Sequence, residues 1–392
     1  MLRDLRFALR LLRRSPAFTA VAVLVLGLGI GANTAIFSLV DAVLLEPLPF
    51  AHPEQLVQMY ETESAPGSFP LSGPDFPDWK AQSQLFADMT LYNYSRSLNL
   101  NGGGQPQRVI AAPAEANFFS LLGVQPALGR TFAPGEDQPG ATPVAVLSHN
   151  LWESRLGGDP KAVGQSIQLD GVSCVVIGVM PASFRMQPTV EVWLPLNMRQ
   201  LGTRGNHSYN AIGRLKPGVT LAQAQAEISA IAARLTAEYP HSNNDTGAKL
   251  YRLRDRLVRA PQRASLWTLL VVVGLVLLIA CANIANLLLA RALGRQKEMS
   301  IRLALGARRR QIIRQLLTES VLLALAGAGL GAALAWAGVR AVVGLKAFTL
   351  PQFNAITVSL PVLAFTIGLA LLCGVLFGLA PAWQLSRPRL ND

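Results

Sequence analysis

Four stretches of this chain are apolar and uncharged over lengths that can cross a bilayer. The first covers residues 15–40, between Arg14 and Asp41, and the second residues 264–290, between Arg263 and Arg291. A third covers 320–339. The fourth lies within 347–386, where Pro351, Gln352, Asn354 and Pro361 push its start toward Leu360. A helix of roughly 20 apolar residues spans the hydrocarbon, because lipid offers no partner to an unpaired backbone group. The pattern therefore predicts transmembrane helices at 17–45, 264–290, 320–343 and 360–382. The fold class is an integral membrane α-helical protein with four spans and a large α+β extracytoplasmic domain between spans 1 and 2.

Outside the spans the periodicity changes. In residues 1–16, Leu2, Leu5, Leu9 and Leu12 recur at helical spacing, each followed by Arg3, Arg6, Arg10 or Arg13. Adjacent oily and basic stripes predict an amphipathic helix in the headgroup plane of the cytoplasmic leaflet, with Ser15 and Pro16 opening span 1. Residues 46–263 mix strand-like runs at 144–147, 166–169, 174–179 and 210–215 with a helix capped by Thr220. That helix carries Leu221, Ala224, Ile228, Ile231 and Leu235 at three- and four-residue spacing and stops near Tyr239 and Pro240. Turn-rich patches at 101–106, 134–143 and 202–206 divide the domain into lobes.

Charge sets the topology. The chain has 392 residues, 51% hydrophobic and 15% charged, and a formal net charge of +12, which taken alone would suggest nucleic acid. Location argues otherwise. Residues 1–16 hold five Arg and one Asp, and residues 291–319 hold eight Lys/Arg and two acids, while 46–264 holds 18 of each sign. Short basic segments stay in the cytoplasm. This places the N-terminus, residues 291–319 and the tail 383–392 on the cytoplasmic side of the membrane, and puts 46–263 and the loop 344–359 outside. No nucleic-acid partner is expected; the lipid bilayer is. Cys281 and Cys373 fall within spans, leaving Cys174 alone outside, so no disulfide framework is available there. The long first apolar run, without a clear cleavage site, reads as an uncleaved anchor.

Catalytic patterns are missing from the sequence. The dipeptide Gly-Lys does not occur, so there is no phosphate-binding loop of the G-x-x-x-x-G-K type. His52, His149, His207 and His241 are scattered without ligand spacing, and no G-x-S-x-G elbow nominates a nucleophile. Neither cofactor nor metal is expected, and no catalytic residue is nominated. Gly27, Gly29 and Ala32 formally match a dinucleotide fingerprint, but they sit inside a membrane-length run where no βαβ unit can form. Close helix packing accounts for them better. Gly27 and Gly31, Gly327 and Gly331, and Gly374 and Gly378 each have G-x-x-x-G spacing, and Asn33, Thr34, Ser38, Asn283 and Asn286 are polar positions that should face protein.

The basic segment 291–319 carries the most telling motif. Lys297-Glu298, Ile301-Arg302 and Leu303-Ala304-Leu305-Gly306-Ala307, followed by Arg308, resemble the cytoplasmic coupling segment of MacB/FtsX-type ABC transporter permeases. Ala32 to Ser38 in span 1, Asn117-Phe118-Phe119, Leu122-Gly123-Val124, Leu128-Gly129-Arg130, Leu151-Trp152, Gly157 to Pro160, Val192 to Leu196, Arg214 to Val219 and Ala280 to Leu287 continue the likeness. It extends over nearly the whole chain, which resembles one half of the duplicated permeases of acidobacterial type.

The resemblance implies a permease half of the bacterial inner (plasma) membrane, its external domain made of a porter-like lobe with an inserted second lobe. It implies that this half forms a homodimer or heterodimer with a second half and takes a cytoplasmic ABC ATPase as partner, with the ATPase on a separate chain. A periplasmic adaptor or outer-membrane channel is a further implied partner, and export or efflux the implied task. Glu298, Arg302, Leu303, Leu305, Gly306, Ala307 and Arg308 are the implied ATPase-coupling residues. Basic residues alone would satisfy topology, but topology does not need the small apolar knob at 303–307. Two other readings compete: a membrane-anchored extracytoplasmic binding or sensor module without ATP coupling, and an anchored hydrolase. The chain reads either as a natural single half or as part of a tandem permease.

Overall fold

The computed structural model describes residues 2–293, 309–344 and 359–386, except 64–66, 94–95, 102–105, 185, 187–189, 200 and 259. It divides into two compact units, one holding the chain up to Glu46 and from Ala260 onward, the other Pro47–Arg259.

In the first unit, helix Leu2–Arg14 precedes span 1, whose helix Pro16–Val40 continues as a π-helical turn over Asp41–Leu45. Span 2 is helix Ala260–Leu293, span 3 Arg309–Gly344 and span 4 Leu360–Ser386. All four are long and apolar enough to cross a membrane. Span 1 packs against each of the other three, and span 4 packs against spans 2 and 3. Leu26, Ile30, Leu277, Ile284, Leu323, Ala370 and Phe377 fill the space between them. Val271, Leu275, Ile279 and Leu372 point outward and are exposed, as lipid-facing positions should be. In the N-terminal helix Ala8 and Leu11 are buried, Leu12 is partly buried, and Leu9 is exposed along with Arg6, Arg10 and Arg13, so the buried face lies one residue back from the leucine stripe that the sequence predicts.

The second unit is built on one 12-stranded sheet that closes on itself over half its path. Its strands are β1 (Leu56–Thr62), β2 (Leu71–Ser72), β3 (Phe86–Tyr92), β4 (Arg96–Asn101), β5 (Gln107–Ala114), β6 (Leu128–Gly129), β7 (Val144–Leu147), β8 (Ser166–Leu169), β9 (Val172–Val179), β10 (Val192–Pro195), β11 (His207–Leu215) and β12 (Gly247–Arg252). Helices α1 (Asp75–Gln82), α2 (Phe118–Leu122), α3 (His149–Leu156), α4 (Leu221–Glu238) and α5 (Leu253–Leu257) complete it.

Strands β10, β7, β9, β8, β4 and β5 follow one another, and β10 pairs again with β5 in parallel, Val192 opposite Ala111. The result is a closed six-stranded barrel with no free edge. Leu98, Val109, Ala145, Ile167, Val176 and Val192 fill it. From β5 the sheet continues through β3, β11, β1 and β12, an antiparallel run covered by α1 and α4. Trp79, Phe76, Met59, Met89, Ile228 and Leu235 make the core between that sheet and its helices. The α4 helix opens with a capping box in which Thr220 and Gln223 satisfy each other's backbone N–H groups. Phe119 gathers Phe118, Phe132, Phe184 and Trp193 around it as a separate, aromatic core.

Candidate functional site

The polar and small residues of span 1 contact a different neighbour in each direction. Toward span 3, Gly27 and Gly31 face Gly327 and Gly331 so closely that a Cβ on Gly31 would lie 2.9 Å from the Gly331 carbonyl oxygen. Only hydrogen atoms fit between these backbones, which is what the four-residue glycine spacing provides. Toward span 2, the Asn33 amide donates to the carbonyls of Gly29 and Val273, both at 2.9 Å. Toward span 4, the Thr34 and Thr366 hydroxyls lie 3.0 Å apart, and each is 2.8 Å from the carbonyl one turn back in its own helix. A hydroxyl has one hydrogen, so one threonine donates across the gap and the other donates within its helix. Phe37 stacks on Phe365 just beyond, with ring centroids 4.0 Å apart.

Both ends of span 1 are also tied. At the outer end the Ser359 hydroxyl donates to Asp41 at 2.7 Å, joining the π-helical turn to the start of span 4. At the inner end the Arg291 guanidinium donates to the Ser15 hydroxyl at 2.8 Å and the Leu11 carbonyl at 3.3 Å, and it lies over the Phe18 ring. Arg291 is where span 2 passes into the basic segment. The root of that segment is thus bound to the junction between the N-terminal helix and span 1.

The remaining small-residue motif, Gly374 and Gly378, faces Val321 and Ser320 of span 3. Asn283 and Asn286 differ from Asn33, Thr34 and Ser38: among the described residues both are exposed on span 2. Glu298, Arg302, Leu303, Leu305, Gly306, Ala307 and Arg308 lie outside the described residues.

In the second unit the motif residues have structural roles. Arg214 donates from Nε and from a terminal nitrogen to the Leu121 carbonyl, at 3.0 and 2.7 Å, and to the carbonyls of Ala51 at 2.7 Å and His52 at 3.2 Å. It closes the C-terminus of α2, where Gly123 adopts φ +68° against Ala51. Burial holds the Arg214 guanidinium below its usual range. Trp152 Nε1 donates to the Asp159 carbonyl at 2.9 Å, fixing the Gly157 and Gly158 turn.

A polar cluster that spacing alone does not disclose joins β1, β2, β11 and α1. His207 Nδ1 lies 2.5 Å from Glu61 Oε2, which also accepts the Ser72 backbone N–H at 3.0 Å. Burial pushes the Glu61 carboxyl up to about 6, and the hydrogen bond to that carboxyl raises the His207 imidazole. Arg204 pairs with both Asp75 and Asp78 and stacks on Tyr239, while Asn243 donates to Asp75 at 3.0 Å. Among the described residues no group of three or more His, Cys, Asp or Glu side chains converges as a metal site would.

Residues 19–231 match the MacB-like periplasmic core domain and residues 270–389 the FtsX-like permease C-terminal domain. The chain is 28% identical over 312 residues to the macrolide export ATP-binding/permease protein MacB of Burkholderia thailandensis, covering 78% of this chain and 46% of that protein. It is 31% identical over 271 residues to the MacB of Chromobacterium violaceum, covering 68% and 40%. The chain thus spans about half the length of the curated relatives it matches. Among solved structures, a domain of a permease protein from Porphyromonas gingivalis is similar at TM-score 0.41 and 17% identity, over 52% of this chain and 91% of that one. The periplasmic region of MacB from Actinobacillus actinomycetemcomitans is similar at TM-score 0.37 and 12% identity, over 50% and 88%.

Proposed function

The chain belongs to the family of MacB/FtsX-type permeases, and from that membership we propose that it transmits the motion of a cytoplasmic ABC ATPase, carried outside these residues, to its extracytoplasmic domain. The observation that carries this reading is the position of span 1. It is the helix that leads into the periplasmic core domain, it contacts all three other spans, and through Ser15 and Leu11 it is hydrogen-bonded to Arg291 at the root of the basic segment. A push on that segment would pass along the chain into spans 2 and 3 and through Arg291 to the start of span 1.

Within this reading, Glu298, Arg302, Leu303, Leu305, Gly306, Ala307 and Arg308 form the handle for the ATPase. Arginines hold such a segment at the membrane surface, and the small apolar knob enters a groove on the partner. Asn283 and Asn286 face a second permease half, since an exposed carboxamide at that depth needs a hydrogen-bonding partner. The names of the relatives favour export as the task; a periplasmic adaptor or outer-membrane channel as a downstream partner rests on family membership alone.

The test is Gly306→Trp in the full chain. An ATPase should co-purify with the wild-type protein in detergent and be lost from the variant, with membrane insertion unchanged. Equal recovery with both would remove the coupling assignment, and failure of any ATPase to co-purify with wild type would favour an anchored binding or sensor module.

A further inference from the structure

Most of the chain's excess positive charge sits inside, yet its extracytoplasmic side has a basic margin of its own where the chain meets the bilayer. Between Arg252 and Arg263 the sequence holds five arginines and one aspartate, while the rest of the segment 46–264 holds 13 Lys/Arg against 17 Asp/Glu. The last of these, Arg263, lies in the first turn of the span 2 helix, and Trp267 follows one turn later, 47% exposed. Span 3 repeats the arrangement in reverse. Trp336 is 53% exposed, and the exposed Arg340 guanidinium lies over its ring at 4.5 Å.

Span 2 enters the membrane from outside and span 3 leaves toward the outside, so in both the arginine is outward of the tryptophan. Residues four apart on a helix are separated by about 6 Å along its axis. An indole facing out of a bundle settles at the level of the headgroups, and a charge one turn further out then lies among the phosphates. Arg340 has a particular need of such a partner. It precedes the helix end at Gly344 by four residues, within the apolar span Ile313–Ala341, and a guanidinium left in hydrocarbon is costly. A planar guanidinium stacked on a ring keeps its donor edge free for a bidentate oxyanion.

We propose that Arg263 with Trp267 and Arg340 with Trp336 form a collar that binds the phosphate of anionic phospholipids in the outer leaflet. The chemistry recognised is a phosphate monoanion next to an acyl chain. The guanidinium takes the phosphate and the indole covers the glycerol and the first methylenes.

The test uses the intact protein in liposomes of phosphatidylcholine, with brominated phosphatidylglycerol or brominated phosphatidylcholine added as quencher. A Trp383→Phe background removes the tryptophan at the opposite end of span 4. Brominated phosphatidylglycerol is expected to quench with roughly fivefold greater relative affinity, and the preference should fall to about one in Arg263→Gln/Arg340→Gln. An Arg6→Gln/Arg10→Gln control on the cytoplasmic helix should leave it unchanged. Equal quenching by the two lipids, a preference that survives the outer double substitution, or one that follows the cytoplasmic control would each overturn the proposal. Inorganic phosphate supplies the remaining arm: if millimolar phosphate abolishes the preference, the site takes a free anion and not a lipid.

Discussion

Glu61 and His207, 146 residues apart, meet at 2.5 Å in the extracytoplasmic unit, with the Glu61 side chain almost wholly buried. Both groups titrate above their ordinary values, Glu61 because burial disfavours the carboxylate and His207 because the carboxylate favours the imidazolium. Each therefore binds its proton more firmly in the folded state. A raised folded value contributes stability that is fully present below the unfolded value and is lost as pH rises through the folded one. For Glu61 this window runs from 4.5 to about 6, and for His207 it begins at 6.5 and extends upward.

The expected outcome is that wild type loses stability relative to Glu61→Gln as pH is raised from about 5 to about 8. The carboxyl part of that loss is on the order of 2 kcal/mol. Thermal unfolding of the intact protein, followed across that range for both proteins, checks it. A difference between them that does not vary with pH would show that the pair is not linked to folding.

Helix packing gives a sharper contrast. Gly31 has the Gly331 backbone at 2.9 Å from where a Cβ would stand, while Gly329 on the same span 3 has nothing within 4 Å. Gly31→Val should force spans 1 and 3 apart at a cost of about 1–3 kcal/mol or more, whereas Gly329→Ala should be nearly neutral. Thermal denaturation in detergent distinguishes them, and similar midpoints for the two variants would count against the close approach.

Thr34 and Thr366 offer a calibrated small effect. Hydrogen bonds between membrane helices couple by about 0.6 kcal/mol on average, because the separated helices find other partners. A double-mutant cycle with Thr34→Val and Thr366→Val should return a coupling of that size. No measurable coupling would place spans 1 and 4 differently from the arrangement described here.

Arg214 is a case where charge alone should fail. Its planar fork serves the carbonyls of Leu121, Ala51 and His52 together, and a lysine ammonium cannot reproduce that geometry. Arg214→Lys is expected to cost about 2 kcal/mol and to speed hydrogen exchange in α2. Exchange at wild-type rates would sink the idea that Arg214 closes that helix.

What the sequence discloses and what it hides divide along physical lines. The spans, their direction and the α4 helix follow from local terms, namely apolar length, flanking charge, three- and four-residue periodicity and a capping threonine. The strands at 144–147 and 166–169 appear where their runs predict. Closure of the barrel does not follow, because it depends on β10 pairing in parallel with β5 some 80 residues earlier, a register no local pattern encodes. The glycine spacing identifies packing faces but not their partners: Gly27 and Gly31 meet span 3, whereas Gly374 and Gly378 meet it from span 4. Asn283 and Asn286 look in the sequence like Asn33, yet only Asn33 is covered within the chain. The Glu61 and His207 pair had no signal at all, since one ion pair at long separation leaves no periodicity.

Span 1 touches every other span by a different means, and what remains uncommitted on it is a strip through Val21, Leu24 and Leu28. Drift in its sequence is correspondingly confined. Off that strip lie the glycine seam, the carboxamide bonds and the hydroxyl pair, each committed to a different neighbour, so this one helix has little room to vary.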